Sequence, residues 1–268
     1  MRHLTTTLAI LFVSAMALTS CQKNLKSSSE EIPQAVKDQI YAAGFGTTNI
    51  QKVEEGYLVE GDIILTPEYL SSHPASLDLR IPNGEQYHTT NLVTGGAQTI
   101  TVALSSRLAG KAGYTAALQE MCNRYNAQNL QLTFQAVTGS ADIAFVEAHG
   151  QYLASSGFPS SSGQVYGQVK VNAQAIGSGT SSTFVNYLAT IFAHETGHCI
   201  GFRHTDYMDR SFSCGGSPTN EGASSVGAIW ISGTPTGPDS GSWMLACIGS
   251  GQNRPFNNND KTALNALY

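Results

Sequence analysis

Apolar and polar positions keep a regular rhythm mainly in the middle of the chain. Tyr114, Ala117, Leu118, Met121, Cys122 and Tyr125 recur at alternating gaps of three and one, which predicts a helix with one buried face. Leu130, Leu132, Phe134 and Ala136 are separated by Gln131, Thr133 and Gln135, the pattern of a half-buried strand. Residues 99–104 (TITVAL) predict a strand before that helix. Residues 141–148 (ADIAFVEA) are apolar on both faces, as a central strand of a parallel sheet would be. Residues 165–175 predict a further strand near an edge, after a Ser- and Gly-rich loop over 149–164. A long helix follows over 182–200, free of proline and with Gly197 as its only interior glycine. Residues 259–268 predict a last helix with Asp260 near its start.

The pattern is looser at both flanks. Residues 32–43 predict a helix stopped by Gly44 and Gly46, and 56–65 (GYLVEGDIIL) reads as strand, turn, strand. Residues 73–97 hold Pro74, Pro82, Gly84, Gly95 and Gly96 without a lasting period, so they are expected to be a linker or processing region. Residues 205–242 are Gly-, Ser- and Pro-rich loop. Strands alternate with helices early and irregular chain dominates late. This predicts an α/β (α+β) fold: a mostly parallel sheet, one long helix and a loop-rich C-terminal part around a single cleft. The expected organisation is a signal segment over 1–20, a tether over 21–31, a pro-segment or small domain with linker over 32–97, and a main domain over 98–268.

The N-terminus bears on location. Met1-Arg2-His3 gives a short positive start, and residues 8–18 are mostly apolar. That run is shorter than the roughly 20 residues of a spanning helix and reads as a secretory signal peptide. Leu18-Thr19-Ser20-Cys21 resembles a bacterial lipobox. The resemblance implies lipidation of Cys21, a membrane anchor, and an outer-membrane or cell-surface lipoprotein that can also be released outside the cell. Residues 22–31 (QKNLKSSSEE) would be the tether. Export makes disulfides expected among Cys122, Cys199, Cys214 and Cys247. Four cysteines allow three pairings, and the sequence does not choose between them.

Composition narrows the partners. Hydrophobic residues make up 41% of the 268, enough for a sizeable core. The formal net charge is -5 with no long basic run, which argues against nucleic acid. No EF-hand-like loop or Asp-rich repeat supports calcium.

The chemistry concentrates in residues 194–206, HETGHCIGFRHTD, which hold three of the seven histidines. On a helix, residues i and i+4 stand one above the other. His194 and His198 can therefore grip one ion, and imidazole suits zinc. Glu195 is rotated by about 100° from His194, so it is placed to handle water on the metal rather than to ligate. Gly201 can take a positive φ, end the helix and turn the chain, returning His204 as a third ligand. A fourth position is left for water or substrate, as in catalytic rather than structural zinc sites.

HETGHCIGFRHTD resembles the zinc-binding consensus of the metzincins, the superfamily of astacins, serralysins, reprolysins and matrix metalloproteases. The form with Cys199 and Thr205-Asp206 resembles a bacterial group, the dual-action matrix metallopeptidase-like proteins. The resemblance covers residues 98–268. It implies a metzincin, zincin-like catalytic domain with one Zn2+ on His194, His198 and His204. It also implies Glu195 as general base in the hydrolysis of protein or peptide substrates. A methionine in a tight turn beneath the zinc is implied as well. Met244, in Gly241-Ser242-Trp243-Met244-Leu245, fits that role better than Met208, which follows His204 too closely. Ala246 departs from astacins and serralysins, which carry a tyrosine there.

Val59-Glu60-Gly61-Asp62-Ile63 resembles a short motif of astacin pro-segments. The resemblance implies that Asp62 occupies the open zinc position as a zymogen latch, to be released by an activating protease cutting within 73–97. A β-turn in a small N-terminal domain explains the same residues. His149 reads as a solvated loop histidine, and His73 and His88 carry no motif. Trp230 and Trp243 suit either a substrate wall or the core. A surface lipoprotein that captures zinc without chemistry is the rival reading. It would need the three histidines but not Glu195.

Overall fold

A computed structural model describes residues 31–72, 86–218, 228–235 and 237–268. The expectations for residues 1–30, Cys21 among them, and for 73–85 lie outside the described residues. Helix α1 (Gln34–Ala42) leads into an antiparallel sheet of β1 (Gln51–Val53), β2 (Gly56–Val59) and β3 (Ile63–Leu65), followed by α2 (Pro67–Ser72). The pairing of Val59 with Ile63 places Glu60, Gly61 and Asp62 in a tight turn. Ile40, Phe45, Val59, Ile63, Leu65 and Tyr69 share a small core, joined by Phe158 from further along the chain.

After β4 (Tyr87–His88), the chain builds the main sheet. Its elements in order are β5 (Gln98–Leu104), α3 (Ser106–Ala109), α4 (Tyr114–Asn126), β6 (Leu132–Ala136), β7 (Ile143–Glu147), β8 (Ala154–Ser155) and β9 (Gln168–Val171). The sheet order is β6-β5-β7-β9-β8, parallel except for β8, which runs antiparallel to β9 at the edge. The apolar run of β7 thus lies in the centre, as its two-faced hydrophobicity predicts.

The strand expected over 165–175 is shorter than its pattern. It ends at Val171 because the Asn172 side chain caps a short helix, α5 (Ala173–Ile176). It does lie near an edge. The two-residue β8, inside the expected loop 149–164, covers its outer side.

Helix α6 (Ser182–Cys199) starts where the Ser181 side chain accepts the Phe184 N–H. It packs on α4 and the sheet. The Tyr125 hydroxyl donates to the Ala193 carbonyl at 2.7 Å, and Phe145 and Phe192 rings meet at 4.8 Å. The remaining elements are α7 (Ser211–Cys214), β10 (Ile229–Trp230) and α8 (Asn258–Leu267).

Residues 86–97 are not a loose linker. β4 pairs with β10, the Thr89 N–H donates to the Gly201 carbonyl, and the Val93 N–H donates to the Tyr268 hydroxyl. Gln86 is fully buried, and its amide donates to Ser242 Oγ and Asp260 Oδ1. These partners lie more than 100 residues away in sequence, so no local period announces them.

Asp260 gathers several of these contacts. It completes a capping box with Asn257 at the start of α8. Its carboxylate also accepts the Trp243 N–H at 3.3 Å and the Gln86 amide at 2.7 Å. Burial pushes its pKa up to about 6, against the lowering effect of these bonds. The folded state therefore holds the Asp260 proton more tightly than the unfolded chain does. That contribution to stability is complete below pH 3.8 and is lost as pH rises through about 6. The penalty of Asp260→Ala is expected to be greatest below pH 3.8 and to shrink by roughly 3 kcal/mol by about pH 6. Denaturant unfolding of both chains against pH checks this. A penalty that grew with pH would overturn it.

Candidate metal centre

The last turn of α6 ends as its sequence requires. The Gly201 N–H donates to the His198 carbonyl and the Phe202 N–H to the Gly197 carbonyl, the paired bonds of a Schellman ending. Gly201 has φ +112°, and a Cβ there would come within 2.7 Å of the Asn91 carbonyl oxygen. Glycine is needed on both counts. The turn brings His204 back towards the helix. Ring centroids lie 4.7 Å apart for His194 and His198, 5.3 Å for His194 and His204, and 4.9 Å for His198 and His204.

The tautomers of two imidazoles follow from their partners. His194 Nδ1 lies 2.9 Å from the Trp243 carbonyl and His198 Nδ1 lies 2.8 Å from the Phe202 carbonyl. A carbonyl only accepts, so both Nδ1 atoms carry hydrogen and both Nε2 atoms present lone pairs. Those Nε2 atoms face each other at 3.1 Å. Two lone pairs at that distance repel unless a cation lies between them. A proton is a poor occupant, because burial and the neighbouring His194 and His204 push the His198 pKa well below its ordinary value.

Asp62 joins the cluster. Its Oδ2 lies 3.2 Å from His204 Nε2 and 3.6 Å from His194 Nε2. Its Oδ1 is buried with no hydrogen-bond partner among the described residues. Burial alone would raise this carboxyl. The field of His204 and its hydrogen bond overcome burial and hold it well below the usual range. One donor atom from each of Asp62, His194, His198 and His204 lies within 4.8 Å of the others. Convergent lone pairs, an orphaned carboxylate oxygen and a nitrogen-and-oxygen donor set fit a borderline metal such as zinc.

Glu195 is buried beside this cluster and lines the same cavity as His194 and Asp62. The Ser156 hydroxyl donates to its Oε2 at 2.7 Å. Burial, and next the charge of Asp62, push the Glu195 carboxyl well above its ordinary range, while Ser156 opposes them. Ser156 also holds the N-terminal segment through its backbone. Its N–H donates to the Asp62 carbonyl, and its own carbonyl accepts the Ile64 N–H. Residues 62–64 thereby extend the edge of the main sheet, in parallel with the chain at Ser156.

Arg203 fastens the same segment from the other side. Its guanidinium is fully buried, donates to both Glu60 carboxylate oxygens at 2.7 and 2.8 Å, and donates to the Gly44 carbonyl. It also lies 4.2 Å over the Phe45 ring.

Met244, not Met208, lies beneath the helix. A Cβ on Gly197 would fall 2.6 Å from Met244 Sδ, so the helix glycine exists to admit that sulfur. The Met244 carbonyl accepts the Thr205 N–H, and the buried Trp243 indole reaches the Ala193 carbonyl at 3.3 Å. Trp243 belongs to the core, with its ring 5.0 Å from Phe256, whereas Trp230 is 39% exposed. Met208 packs instead against Tyr87 and Tyr207.

Asp206, the last residue of the quoted motif, accepts the Ala246 N–H and the Ser213 hydroxyl. Cys214 is bonded to Cys247, while Cys122 and Cys199 are buried and free of disulfides among the described residues. Closing a loop of 33 residues restricts the unfolded chain by roughly 3–4 kcal/mol in the entropic account.

His149 sits in a separate exposed loop, and His88 bonds its own neighbour Thr89. Neither enters the cluster. The sequence singled out the histidines, Glu195, Gly201, Met244 and Asp62. It gave no sign of Ser156 or of the Glu60–Arg203 pair, whose partners stand 39 and 143 positions apart.

The sheet and the long helix bring a buried histidine triad to one point, a candidate metal centre. The chain belongs to the dual-action HEIGH metallo-peptidase family, whose model matches residues 58–268. The family resemblance drawn from HETGHCIGFRHTD is borne out.

Among solved structures the chain is similar to myroilysin, at 17% identity over 44% of this chain with a TM-score of 0.31. It spans 54% of the myroilysin chain. It is also similar to high choriolytic enzyme 1, a hatching enzyme zinc-protease of the medaka fish Oryzias latipes, at 16% identity. That match covers 63% of this chain and 88% of that one, with a TM-score of 0.36. No curated protein matches the sequence.

Gly197→Ala is expected to push Met244 aside and cost about 1–3 kcal/mol, as overpacking does. Thermal unfolding and zinc affinity, measured on the same variant, check this. Unchanged values in both would mean that the contact has no structural role.

Proposed function

We propose that the chain is an exported zinc endopeptidase, anchored through Cys21 and made as a zymogen in which Asp62 blocks the metal. The observation that carries the peptidase reading is the pair of Nε2 lone pairs held face to face by carbonyl-bonded Nδ1 atoms, with Glu195 beside them. His194, His198 and His204 would hold the ion. Zinc bound there supplies Lewis acidity, polarising the scissile carbonyl and acidifying water.

Glu195 is the general base. Its carboxylate takes a proton from the attacking water and returns it to the leaving amine. The Ser156 hydroxyl orients that carboxylate. The edge at Ser156, with a free N–H and C=O once residues 62–64 have left, offers a peptide backbone two hydrogen bonds. Carbonyls of Trp243 and Phe202 keep the ligating rings in register.

The latch reading is supported by the 3.2 Å approach of Asp62 to His204 and by the buried pairing of Glu60 with Arg203. Release would require an activating protease cutting before Gln86, since residues 86–97 are bound into the main body.

The test is casein cleavage by zinc-loaded full-length chain, by Asp62→Ala, and by a chain truncated to begin at Gln86. Asp62→Ala and the truncated chain are expected to exceed the parent. Adding Glu195→Gln to either is expected to lower the rate on the order of 10²–10⁴-fold with zinc retained. Equal activity of Asp62→Ala and the parent would sink the latch. Zinc binding without cleavage by any chain would favour metal capture instead.

A further inference from the structure

Beside the histidine cluster lies a cavity of about 220 Å³. Leu153, Ile191, Trp243, Leu245 and Ile248 give it apolar sides. Two arginines, Arg210 and Arg254, also line it, and its carboxylates are Asp62 and Glu195, both engaged at the metal centre.

Arg254 is fixed at its backbone, where its N–H donates to Thr190 Oγ1 at 3.0 Å. Its guanidinium donates to the Cys247 carbonyl at 2.7 Å and reaches the Gln252 amide oxygen at 3.5 Å. Neither acceptor carries a charge. Asp206 acts on it only from beyond ion-pair distance, with its own oxygens committed to Ala246 and Ser213. A guanidinium has five N–H donors in a planar fork suited to a carboxylate. Most of these are unspent here, on a half-buried cation without an anionic partner among the described residues. Arg210 adds positive charge to the same cavity while donating to the Glu60 carbonyl.

We infer that this cavity receives the side chain of a substrate residue flanking the scissile bond and selects aspartate or glutamate there, with Arg254 the specificity-determining residue. The inference rests on the peptidase reading above. The apolar sides would take the methylene stem and the guanidinium would take the carboxylate. Lysine or arginine would meet two like charges.

The experiment begins with binding, so that it does not depend on turnover. The 15N-labelled full-length chain is titrated with N-acetylglutamate methylamide and with its lysine counterpart. The Arg254 side-chain Nε–H and the Ala246 and Ile248 amide signals are followed. The glutamate probe is expected to bind on the order of 10-fold tighter or better, as a charged hydrogen-bonded pair permits. Arg254→Gln should bring that ratio close to one, and Arg254→Lys should keep part of it. Equal affinity for the two probes would overturn the inference. So would a preference that survives Arg254→Gln.

The Asp62→Ala chain is then given peptide pairs with glutamate or lysine on either side of the cleaved bond. Cleavage without acidic preference also overturns the inference. Glutamate-selective binding in a chain that cleaves nothing would instead retain the pocket and remove the peptidase.

Discussion

The centre depends on two carbonyl oxygens. Those of Trp243 and Phe202 accept hydrogen from His194 and His198, and in doing so they aim two nitrogen lone pairs at one point. Left alone, that arrangement is repulsive, and the fold must hold it by force of packing. Much of the surrounding structure serves this end. Phe202 is placed by the turn at Gly201, and Trp243 by its contacts with Ala193, Phe256 and Asp260. The C-terminal helix thus reaches the metal centre through a single carboxylate, although none of its own residues is a ligand.

The same logic explains the glycine inside α6. A helix interior disfavours glycine by about 1 kcal/mol relative to alanine. Here the loss is offset by a sulfur seated where a methyl group would stand. Helix and methionine turn come close enough for Trp243 to meet both His194 and Ala193. Local propensity yields to the geometry of the site.

This division marks what could be read along the chain. The helix, the ligand spacing and the central strand were legible because each is written in a run of neighbouring residues. Their periods survive without knowledge of the fold. Residues 86–97 were not legible, because their bonds run to Gly201, Asp260 and Tyr268 and leave no period behind. Strand β8 is two residues long within a Ser- and Gly-rich stretch, so nothing distinguished Ser156 from its serine neighbours. The pairing of Cys214 with Cys247 was one of several that the count allowed. Asp62 could be read from its motif, but Arg203 passed for part of the histidine motif. Only its depth of burial and its hold on Glu60 set it apart.

The buried contact between Arg203 and Glu60 has a kinetic meaning as well. While the chain is continuous, residues 60–62 face their partners at the effective concentration of a tethered segment, on the order of millimolar. A break in the chain beyond Ser72 would remove the tether but not the ion pair, the stacked Phe45 or the bonds at Ser156. The severed piece would then be a dissociating ligand, lost by dilution rather than by the cut itself. Crowding at a membrane surface would slow that loss, and release into open medium would speed it.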